Sequence, residues 1–250
     1  MNRFEGKVVI VTGAASGIGK ATAMRFAAEG ASVACLDVNI IGAEATGIAI
    51  HADGGVARWY GCDVTDSSGV DRVVATIAQE MGAPAVCCNV AGIGRFARSE
   101  EQPVEEFRTI IEVNLVGTFA MSRACLPHLL ENEGCIVNVS SSAGIMGQPY
   151  SAAYCSSKGG VTMLTKAMAV EFNKRGVRVN AVAPAGIDTP LTKEFGFVEG
   201  SDPKEYLKMF PPTGKMAAPE EVAALIAFLA SDEAGYLSGA VVPIDMGVTA

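Results

Sequence analysis

The 250-residue sequence is poor in charge, in histidine and in long apolar runs. Only 18% of the residues are charged and the net charge is −8, so no basic surface for nucleic acid or an anionic membrane is expected. Two histidines, His51 and His128, and scattered cysteines argue against a catalytic zinc site. The apolar run 222–230 is too short to span a bilayer, and residues 1–7 lack the apolar region of a signal peptide. We therefore expect a cytoplasmic protein with no membrane partner.

The seven cysteines are odd in number and form no C-x-x-C motif. Most lie in apolar, strand-like runs, which predicts buried free thiols in a reducing compartment. Cys155 stands beside Tyr154, but no histidine is near it in the sequence, so a nucleophilic role is not expected.

Short apolar runs alternate with helical patterns along the whole chain. Half of the residues are hydrophobic and 28 are glycine, which is a compact globular composition. The alternation predicts an α/β fold with a doubly wound parallel sheet in a single domain, 1–250. Strands are predicted at 7–12, 32–37, 57–62, 85–88, 135–139, 177–182 and 240–244, and helices at 67–79, 103–130, 154–173 and 219–230.

A glycine-rich turn, Thr12-Gly13-Ala14-Ala15-Ser16-Gly17-Ile18-Gly19, follows the first strand and opens a helical pattern that ends at Gly30. A helix N-terminus presents free N–H groups, and glycines let a pyrophosphate approach the backbone. The spacing G-x-x-x-G-x-G differs from the common G-x-G-x-x-G fingerprint. A turn whose glycines serve packing alone is the alternative.

Asp37 ends the second apolar strand, 18 residues after Gly19, where a βαβ dinucleotide site holds the adenosine ribose. A carboxylate there accepts hydrogen bonds from the ribose hydroxyls and repels a 2′-phosphate. No arginine or lysine occurs in 14–16 or 38–40 to bind such a phosphate. The pattern predicts that the protein prefers NAD(H) to NADP(H). The alternative is that Asp37 is an ordinary turn aspartate.

Tyr154 and Lys158 are four residues apart, which puts them on one face of a helix. Tyrosine titrates near ~10, too high for a base at neutral pH, and a nearby ammonium lowers that pKa. The pair therefore predicts a phenol that exchanges protons. Taken alone, it also fits a solvated helix face.

Polar and small residues follow two further strands. Ser141 comes after the fifth strand, at the sheet edge where ligands gather in open parallel sheets. The small residues in Asn89-Val90-Ala91-Gly92 indicate a backbone close to a ligand or to a neighbouring helix. Asn114 lies in a helix without charge from 113 to 122, so it is either a satisfied core amide or part of a site.

The segment 190–212 breaks the alternation and mixes glycines and prolines with aromatic residues. Such a segment is typical of a lid over a pocket, and a surface excursion with its own small cluster is the alternative. In the preceding helix, Lys166 is the only charge between 159 and 170, which predicts an interface with another subunit.

In their joint order and spacing these motifs resemble the classical short-chain dehydrogenase/reductase family, from residue 7 to about 245. The resemblance rests on the glycine turn, Asp63, the Asn89 segment, Asn114, Ser141, the Tyr154–Lys158 pair and 184–189. It implies a Rossmann-type sheet of about seven strands, an NAD cofactor, a small-molecule substrate and a homotetramer. Val90 stands where the family commonly has asparagine, which is a mild change. Ala185 stands where the family usually has glycine, which affects the expected contacts of Ile187 and Thr189.

The resemblance also implies residue roles. Tyr154 would be the general acid/base, Ser141 would hold the substrate oxygen, and Lys158 would lower the tyrosine pKa and hold the nicotinamide ribose. Asn114 would keep a kink and a water in a proton relay. The NAD site would be lined by Gly13, Ser16, Gly17, Ile18, Gly19, Asp37, Asp63, Val64, Asn89, Ala91, Gly92, Tyr154, Lys158, Pro184, Ile187 and Thr189.

The leading functional hypothesis is an NAD-dependent oxidoreductase for a secondary alcohol or ketone, with an apolar, hydroxysteroid-like or acyl-chain substrate. A 3-oxoacyl-(acyl-carrier-protein) reductase is the second reading, although Asp37 and the net charge oppose NADPH and an acidic carrier. A non-catalytic NAD-binding sensor or scaffold is a third reading, from another class, but Ser141, Tyr154 and Lys158 are all present. A serine hydrolase is disfavoured because Ser141 lacks a G-x-S-x-G elbow.

Overall fold

Seven parallel strands form a single sheet in the computed structural model, which describes residues 2–250. The strand order is β3-β2-β1-β4-β5-β6-β7, and every neighbouring pair is parallel. The fold-class prediction is confirmed. The strands are β1 Val8–Thr12, β2 Ser32–Asp37, β3 Val56–Gly61, β4 Pro84–Asn89, β5 Cys135–Val139, β6 Arg178–Pro184 and β7 Val241–Ile244.

Burial explains why the apolar runs became strands. All five residues of β1 and of β5 are buried, as a central strand covered on both faces requires. The edge strands β3 and β7 are partly exposed. The strand order reverses direction between β1 and β4, and this switch point creates a crevice at the carboxyl ends of the strands.

The helices cover the two faces of the sheet and form two separate cores. Successive residues of β1 point to opposite faces, so Val9 and Val11 join one core and Ile10 joins the other. The first core contains Phe26 and Ile226 from two different helices. The helices are α1 Gly17–Ala28, α2 Ile40–Ala52, α3 Ser67–Met81, α4 Val104–Ile111, α5 Gly117–Glu131, α6 Ala152–Phe172, α7 Pro190–Glu194 and α8 Pro219–Ala230.

The structure differs from the sequence-based prediction in three places. Helix α2 occupies a stretch to which the pattern assigned no element, because its residues are apolar nearly throughout and give no periodic stripe. The predicted helix 103–130 is continuous but contains a π-helical turn, Glu112–Val116, between α4 and α5. The segment predicted to be irregular contains α7 and a 3₁₀-helical stretch, Pro203–Met209.

The continuous helical stretch Val104–Glu131 is, within residues 2–250, the one long and apolar enough to cross a membrane by length and composition. An 18-residue window of this stretch has a mean hydropathy of 1.2, and 44% of that window is buried. Met121, Cys125 and Leu129 on this stretch belong to the second core. Core helices pass the same test, so the stretch is weak evidence for a membrane span.

The cysteines follow the apolar strands and helices in which they were expected. Six of the seven are buried, Cys155 is half-buried, and all seven are free thiols. Burial raises the pKa of Cys35 to about 12 and that of Cys135 to about 11, so these thiols stay protonated at neutral pH. The prediction of buried free thiols is confirmed.

Candidate active site

A cavity of about 990 Å³ lies at the carboxyl ends of the central strands. The parallel sheet brings the residues that follow different strands to this one edge, as open α/β sheets do. Most of the residues predicted for the site meet there. They are Gly13, Ser16, Gly17, Ile18, Gly19, Asp37, Asp63, Val64, Ala91, Gly92, Ser141, Tyr154, Lys158, Pro184, Ile187 and Thr189.

The glycine turn is packed so closely that side chains would not fit. A Cβ on Gly13 would lie 2.9 Å from the Ala91 backbone, and one on Gly19 would lie 1.9 Å from the Gly13 carbonyl oxygen. Gly13 and Gly17 also have positive φ angles of 69° and 50°. Ser16 precedes α1 without a side-chain hydrogen bond to its first turn. The uncapped N–H groups and the bare backbone fit the pyrophosphate of a dinucleotide.

Asp37 is tied to the glycine turn at the end of β2. Its Oδ2 accepts a hydrogen bond from the Ala15 N–H at 3.0 Å, and its Oδ1 accepts one from the Asn39 N–H at 2.8 Å. The carboxylate lines the cavity together with Asp63. The lysines that line the cavity are Lys158 and Lys193, which follow β5 and β6 in the chain. The Asp37 end of the cavity is therefore acidic.

Ser141 and Tyr154 approach each other from β5 and α6. The Ser141 Oγ accepts from the Ala143 N–H at 3.1 Å and donates to the Pro184 carbonyl oxygen at 3.4 Å, which fixes the loop after β5. Burial raises the pKa of Tyr154 to about 12, and the neighbouring Ser141 hydroxyl opposes that rise. Tyr154 is therefore a phenol, not a phenolate, at neutral pH in this structure.

Lys158 is one turn beyond Tyr154 and only 4% exposed. Its Nζ donates to the Val139 carbonyl oxygen at 2.8 Å and lies 5.8 Å from the centre of the Tyr154 ring. Burial lowers the pKa of Lys158 to about 8. The sequence led us to expect the lysine to dominate the tyrosine pKa, whereas here burial of each side chain is the main influence on its own pKa.

Three hydrogen bonds fix α6 against β5 and the residue that follows it. The Ser140 Oγ donates to the Lys158 carbonyl oxygen at 3.0 Å and is 2.8 Å from the Thr162 Oγ1. One turn further, the Asn138 Nδ2 donates to the Thr165 Oγ1 at 2.9 Å. Because all of these groups are buried, the helix that carries Tyr154 has a defined position relative to the strand that delivers Ser141.

Asn114 is fully buried behind the cavity rather than in its lining. Its Oδ1 accepts from the Ile93 N–H at 2.8 Å, and its Nδ2 donates to the Ile93 carbonyl oxygen at 2.8 Å and to the Ser157 Oγ at 3.0 Å. It lies in the π-helical turn, a feature found at functional sites. Asn114 therefore holds the loop after β4 against α6 and has no direct hydrogen bond to Lys158.

Asn89, which is predicted for the NAD site, does not line the cavity. Its Nδ2 donates to the Ser122 Oγ at 2.9 Å and to the Asn138 Oδ1 at 2.8 Å, beneath the sheet edge. The alternation of β4 points this side chain toward α5. The residue is part of a buried polar network that joins β4, β5 and α5.

Ala185, where the family commonly has glycine, causes no backbone strain. Among residues 2–250 the non-glycine residues with positive φ are Glu133, Tyr150 and Met246, and Gly186 is not among the positive-φ glycines. Any L-residue can therefore adopt the backbone at this turn. Ala185 lines the cavity, and its N–H donates to the Ile244 carbonyl oxygen at 3.2 Å.

An aromatic cluster closes the other end of the cavity. The Phe195 ring of the 190–212 segment meets the Tyr154 ring edge-on with centres 5.1 Å apart, and packs on Phe96 at 4.7 Å. Tyr206, which is 1% exposed, stacks on Tyr150 at 5.5 Å. Part of the segment thus packs over the cavity.

Tyr150 holds this arrangement with a left-handed backbone, at φ 61°. Its carbonyl oxygen accepts from the Ala97 N–H at 2.9 Å, and its hydroxyl donates to Glu205. The contacts join the loop after β4, the loop before α6 and the 190–212 segment. Strained residues that are fixed by several contacts commonly stand at functional sites.

Sequence reasoning did not assign several residues that the structure brings to the site. Thr12 accepts hydrogen bonds from the Val90 and Ala91 N–H groups at 3.0 and 3.1 Å, and so fixes the loop after β4 to the glycine turn. Phe96 and Gln148 line the cavity but come from irregular loops. Nothing in the local sequence indicates where those loops go. Within residues 2–250, no cluster of three or more His, Cys, Asp or Glu side chains could hold a metal ion.

Comparisons with known proteins agree with this geometry. The sequence profile of the family described as "Enoyl-(Acyl carrier protein) reductase" matches residues 13–249. The chain is 41% identical to the D-threitol dehydrogenase of Mycolicibacterium smegmatis, over 99% of this chain and 94% of that protein. It is also 41% identical to a 3-oxoacyl-(acyl-carrier-protein) reductase of Thermotoga maritima, over 98% and 99% of the two chains.

Among solved structures, the chain is similar to levodione reductase. The TM-score is 0.90 and the sequence identity 35%, with 98% of each chain covered. The likeness therefore extends over the whole sheet and the elements around the cavity.

Proposed function

Because the chain belongs to the classical short-chain dehydrogenase/reductase family, and is therefore an oxidoreductase with a nicotinamide cofactor, we propose that it uses NAD(H) to interconvert a secondary alcohol and a ketone. The observation that carries the proposal is a single cavity with the glycine cradle and Asp37 at one end and Ser141 and Tyr154 at the other. The bound nicotinamide would supply the carbon that accepts or donates the hydride.

Tyr154 is the proposed general acid/base. With a pKa of about 12 it is protonated at neutral pH, the state that donates a proton to a ketone oxygen. Ser141 is the proposed second donor to that oxygen: its hydroxyl hydrogen would turn from the Pro184 carbonyl oxygen to the substrate, while the Ala143 N–H still holds its Oγ. These two side chains would orient the substrate so that the reacting carbon faces the nicotinamide.

Lys158 is proposed to favour the ionised phenol during alcohol oxidation. A protonated lysine within a few ångströms lowers the pKa of an acid, most strongly in a site without water. Since its own pKa is about 8, Lys158 is mostly protonated at neutral pH. We also propose that the Lys158 ammonium binds the ribose of the nicotinamide half of the cofactor. Asn114 would support the relay indirectly, because it fixes the backbone of Ile93 and the Ser157 hydroxyl next to this pair.

The preference for NAD(H) rests on Asp37. Its carboxylate lies at the end of β2, hydrogen-bonded to the glycine turn, in a part of the cavity without a lysine or arginine. A 2′-phosphate would meet this negative charge and no cation, whereas ribose hydroxyls can donate to it. The other residues predicted for NAD, in the glycine turn and after the strands, would complete the site, with Asn89 behind its lining.

The aromatic wall supports a substrate with an apolar body, and we propose that 190–212 acts as the lid over it. The Mycolicibacterium relative is a D-threitol dehydrogenase, which supports an alcohol substrate. The Thermotoga relative supports an acyl-carrier-protein reductase as the second candidate. The acidic Asp37 region and the net charge of −8 favour an alcohol dehydrogenase over an acyl-carrier-protein reductase. NADPH and an acidic carrier protein both need a basic surface.

We further propose a homo-oligomer, a tetramer by family resemblance. Met163 and Val170 on α6 are 61% and 77% exposed, and Phe119 on α5 is 48% exposed. Exposed apolar side chains on neighbouring helices are typical of a surface that another subunit covers.

Titration with NADH and NADPH, followed by nicotinamide fluorescence, tests the proposal. The protein should bind NADH more tightly, and Asp37→Ala should weaken NADH binding and narrow the difference between the two cofactors. Loss of one or two hydrogen bonds to a charged group predicts a ~10-fold to 100-fold weaker NADH affinity.

Asp53→Ala is the matched control, because Asp53 is an exposed aspartate that follows α2 and does not line the cavity. It should leave both affinities unchanged. An unchanged cofactor preference in Asp37→Ala would refute the role of this carboxylate, and no binding of either cofactor would refute the proposed function.

A further inference from the structure

Helix α2 packs directly on the glycine turn. A Cβ on Gly42, in the first turn of α2, would lie 2.6 Å from the Ala15 Cβ, so the close approach of the helix requires a glycine there. Thr46 is one turn further along the same face of the helix and is fully buried. The two residues bring α2 against the peptide that joins Ala14 to Ala15.

The Thr46 hydroxyl donates to this peptide. Its Oγ1 is 2.8 Å from the Ala14 carbonyl oxygen and 3.2 Å from the Gly42 carbonyl oxygen. A hydroxyl has one hydrogen to donate, and the shorter contact is the one to Ala14. Because Ala14 and Thr46 are both 0% exposed, bulk water does not compete for this carbonyl.

The other side of the same peptide holds Asp37. The Ala15 N–H donates to the Asp37 Oδ2 at 3.0 Å, and it shares one rigid plane with the Ala14 carbonyl. In a trans peptide the N–H and the C=O point in opposite directions, so the peptide lies between the Thr46 hydroxyl and the Asp37 carboxylate. A rotation of this plane would break both hydrogen bonds.

The two backbone contacts of the Asp37 carboxylate leave it able to bind a ligand. Its Oδ1 accepts from the Asn39 N–H at 2.8 Å, and its Oδ2 accepts from the Ala15 N–H. Each carboxylate oxygen has about two acceptor sites, so one site remains on each oxygen for a ribose hydroxyl. The direction of these sites depends on where the Ala15 N–H is held.

We infer that Thr46 is a positioning residue for the Asp37 carboxylate and thereby strengthens the preference for NAD(H) over NADP(H). The inference rests on the proposed function, in which Asp37 selects the cofactor. Thr46 does not line the cavity, so its hydroxyl acts through the Ala14–Ala15 peptide. A carboxylate released from the Ala15 N–H would bind ribose hydroxyls less tightly and could turn away from a 2′-phosphate.

The test replaces Thr46 by valine, which has nearly the same shape without the hydroxyl, and by serine, which keeps the hydroxyl. Nicotinamide fluorescence gives the affinities for NADH and NADPH. We expect Thr46→Val to lower the ratio of NADH to NADPH affinity by ~3-fold to 10-fold, as for one hydrogen bond, and Thr46→Ser to retain the ratio.

The ratio separates positioning of Asp37 from a general loosening of the glycine turn. A loosened turn would weaken the binding of both cofactors equally, because both carry the same pyrophosphate. An unchanged ratio in Thr46→Val, or an equal loss in Thr46→Ser, would therefore overturn the inference.

Thr76→Val is the matched control. The Thr76 hydroxyl donates to the carbonyl oxygen four residues earlier at 2.9 Å, but Thr76 lies on α3 and does not line the cavity. This variant should keep the ratio. Urea unfolding shows which variants are folded. If Thr46→Val does not fold, Gly42→Ala disturbs the same peptide with the hydroxyl still present, and an unchanged ratio in Gly42→Ala would then contradict the inference.

A double-mutant cycle shows whether Thr46 acts through Asp37. In an Asp37→Ala background, Thr46→Val should leave the ratio unchanged, because no carboxylate remains to be oriented. A further fall in that background would refute this route. An effect of Asp37→Ala without one of Thr46→Val would overturn the inference alone, whereas no effect of Asp37→Ala, or no binding of either cofactor, would overturn the proposed function as well.

Discussion

Replacement of Lys158 by methionine should change how the stability of the protein depends on pH. The folded-state pKa of Lys158 is about 8, against 10.5 for an unperturbed lysine, because burial disfavours the ammonium. This difference corresponds to ~3 kcal/mol of lost stability at neutral pH, where the side chain is charged in both the folded and the unfolded state. Lys158 therefore lowers the stability of the folded protein, as residues of functional sites often do.

The sign of the pH effect follows from proton binding. Between about pH 8 and pH 10.5 the unfolded chain binds the lysine proton more strongly than the folded chain, so unfolding takes up protons. The stability of the unmodified protein therefore rises relative to Lys158→Met across this window. From pH 7 to pH 10 the difference in unfolding free energy should shift by ~2 kcal/mol in favour of the unmodified protein.

Urea unfolding of both proteins, at one protein concentration and at several pH values, measures this shift. Loss of the hydrogen bond to Val139 adds an offset that does not depend on pH. As a control, Lys158 and Lys158→Met are compared again in proteins that carry Tyr154→Phe, in which Tyr154 cannot titrate. The difference in unfolding free energy should shift with pH by the same amount. A difference that stays constant from pH 7 to pH 10 would refute the depressed lysine pKa.

Three further changes test the site and the surface. Tyr154→Phe keeps the ring that packs on the lid and should lower turnover by at least ~10²-fold with unchanged NADH affinity; substantial remaining turnover would contradict the acid/base role. Gly13→Ala places a Cβ 2.9 Å from the neighbouring backbone and should abolish NADH binding, whereas Gly147→Ala, with open space around it, should not. Met163→Lys with Val170→Lys should lower the molar mass in light scattering, and an unchanged mass would place the interface elsewhere.

The sequence pattern alone was enough to predict the sheet and the glycine turn. The run that forms β1 is apolar on both faces, and those that form β5 and β6 are mostly apolar, as suits a covered parallel strand. The close spacing of Gly13, Gly17 and Gly19 is local, because the turn and the first turn of α1 are contiguous in the chain. For the same reason, the placement of Tyr154 and Lys158 on one helix face could be predicted.

The surroundings of these groups depend on how the chain packs. The alternation of β4 directs the Asn89 side chain into the buried network with Asn138, which its motif alone does not show. The place of Gln148 in the cavity lining has no sequence signal, because it depends on a loop that brings Gln148 beside Ser142.

The pKa values of Tyr154 and Lys158 show the same division between sequence and structure. Their spacing predicted a charge interaction, yet burial by many side chains from distant parts of the chain is the larger influence on each. Desolvation is a collective property of the packed fold, so residue spacing cannot predict it. The order of strands and motifs was thus enough to predict most of the groups at the carboxyl edge of the sheet, whereas their protonation and their neighbours depend on the packed fold.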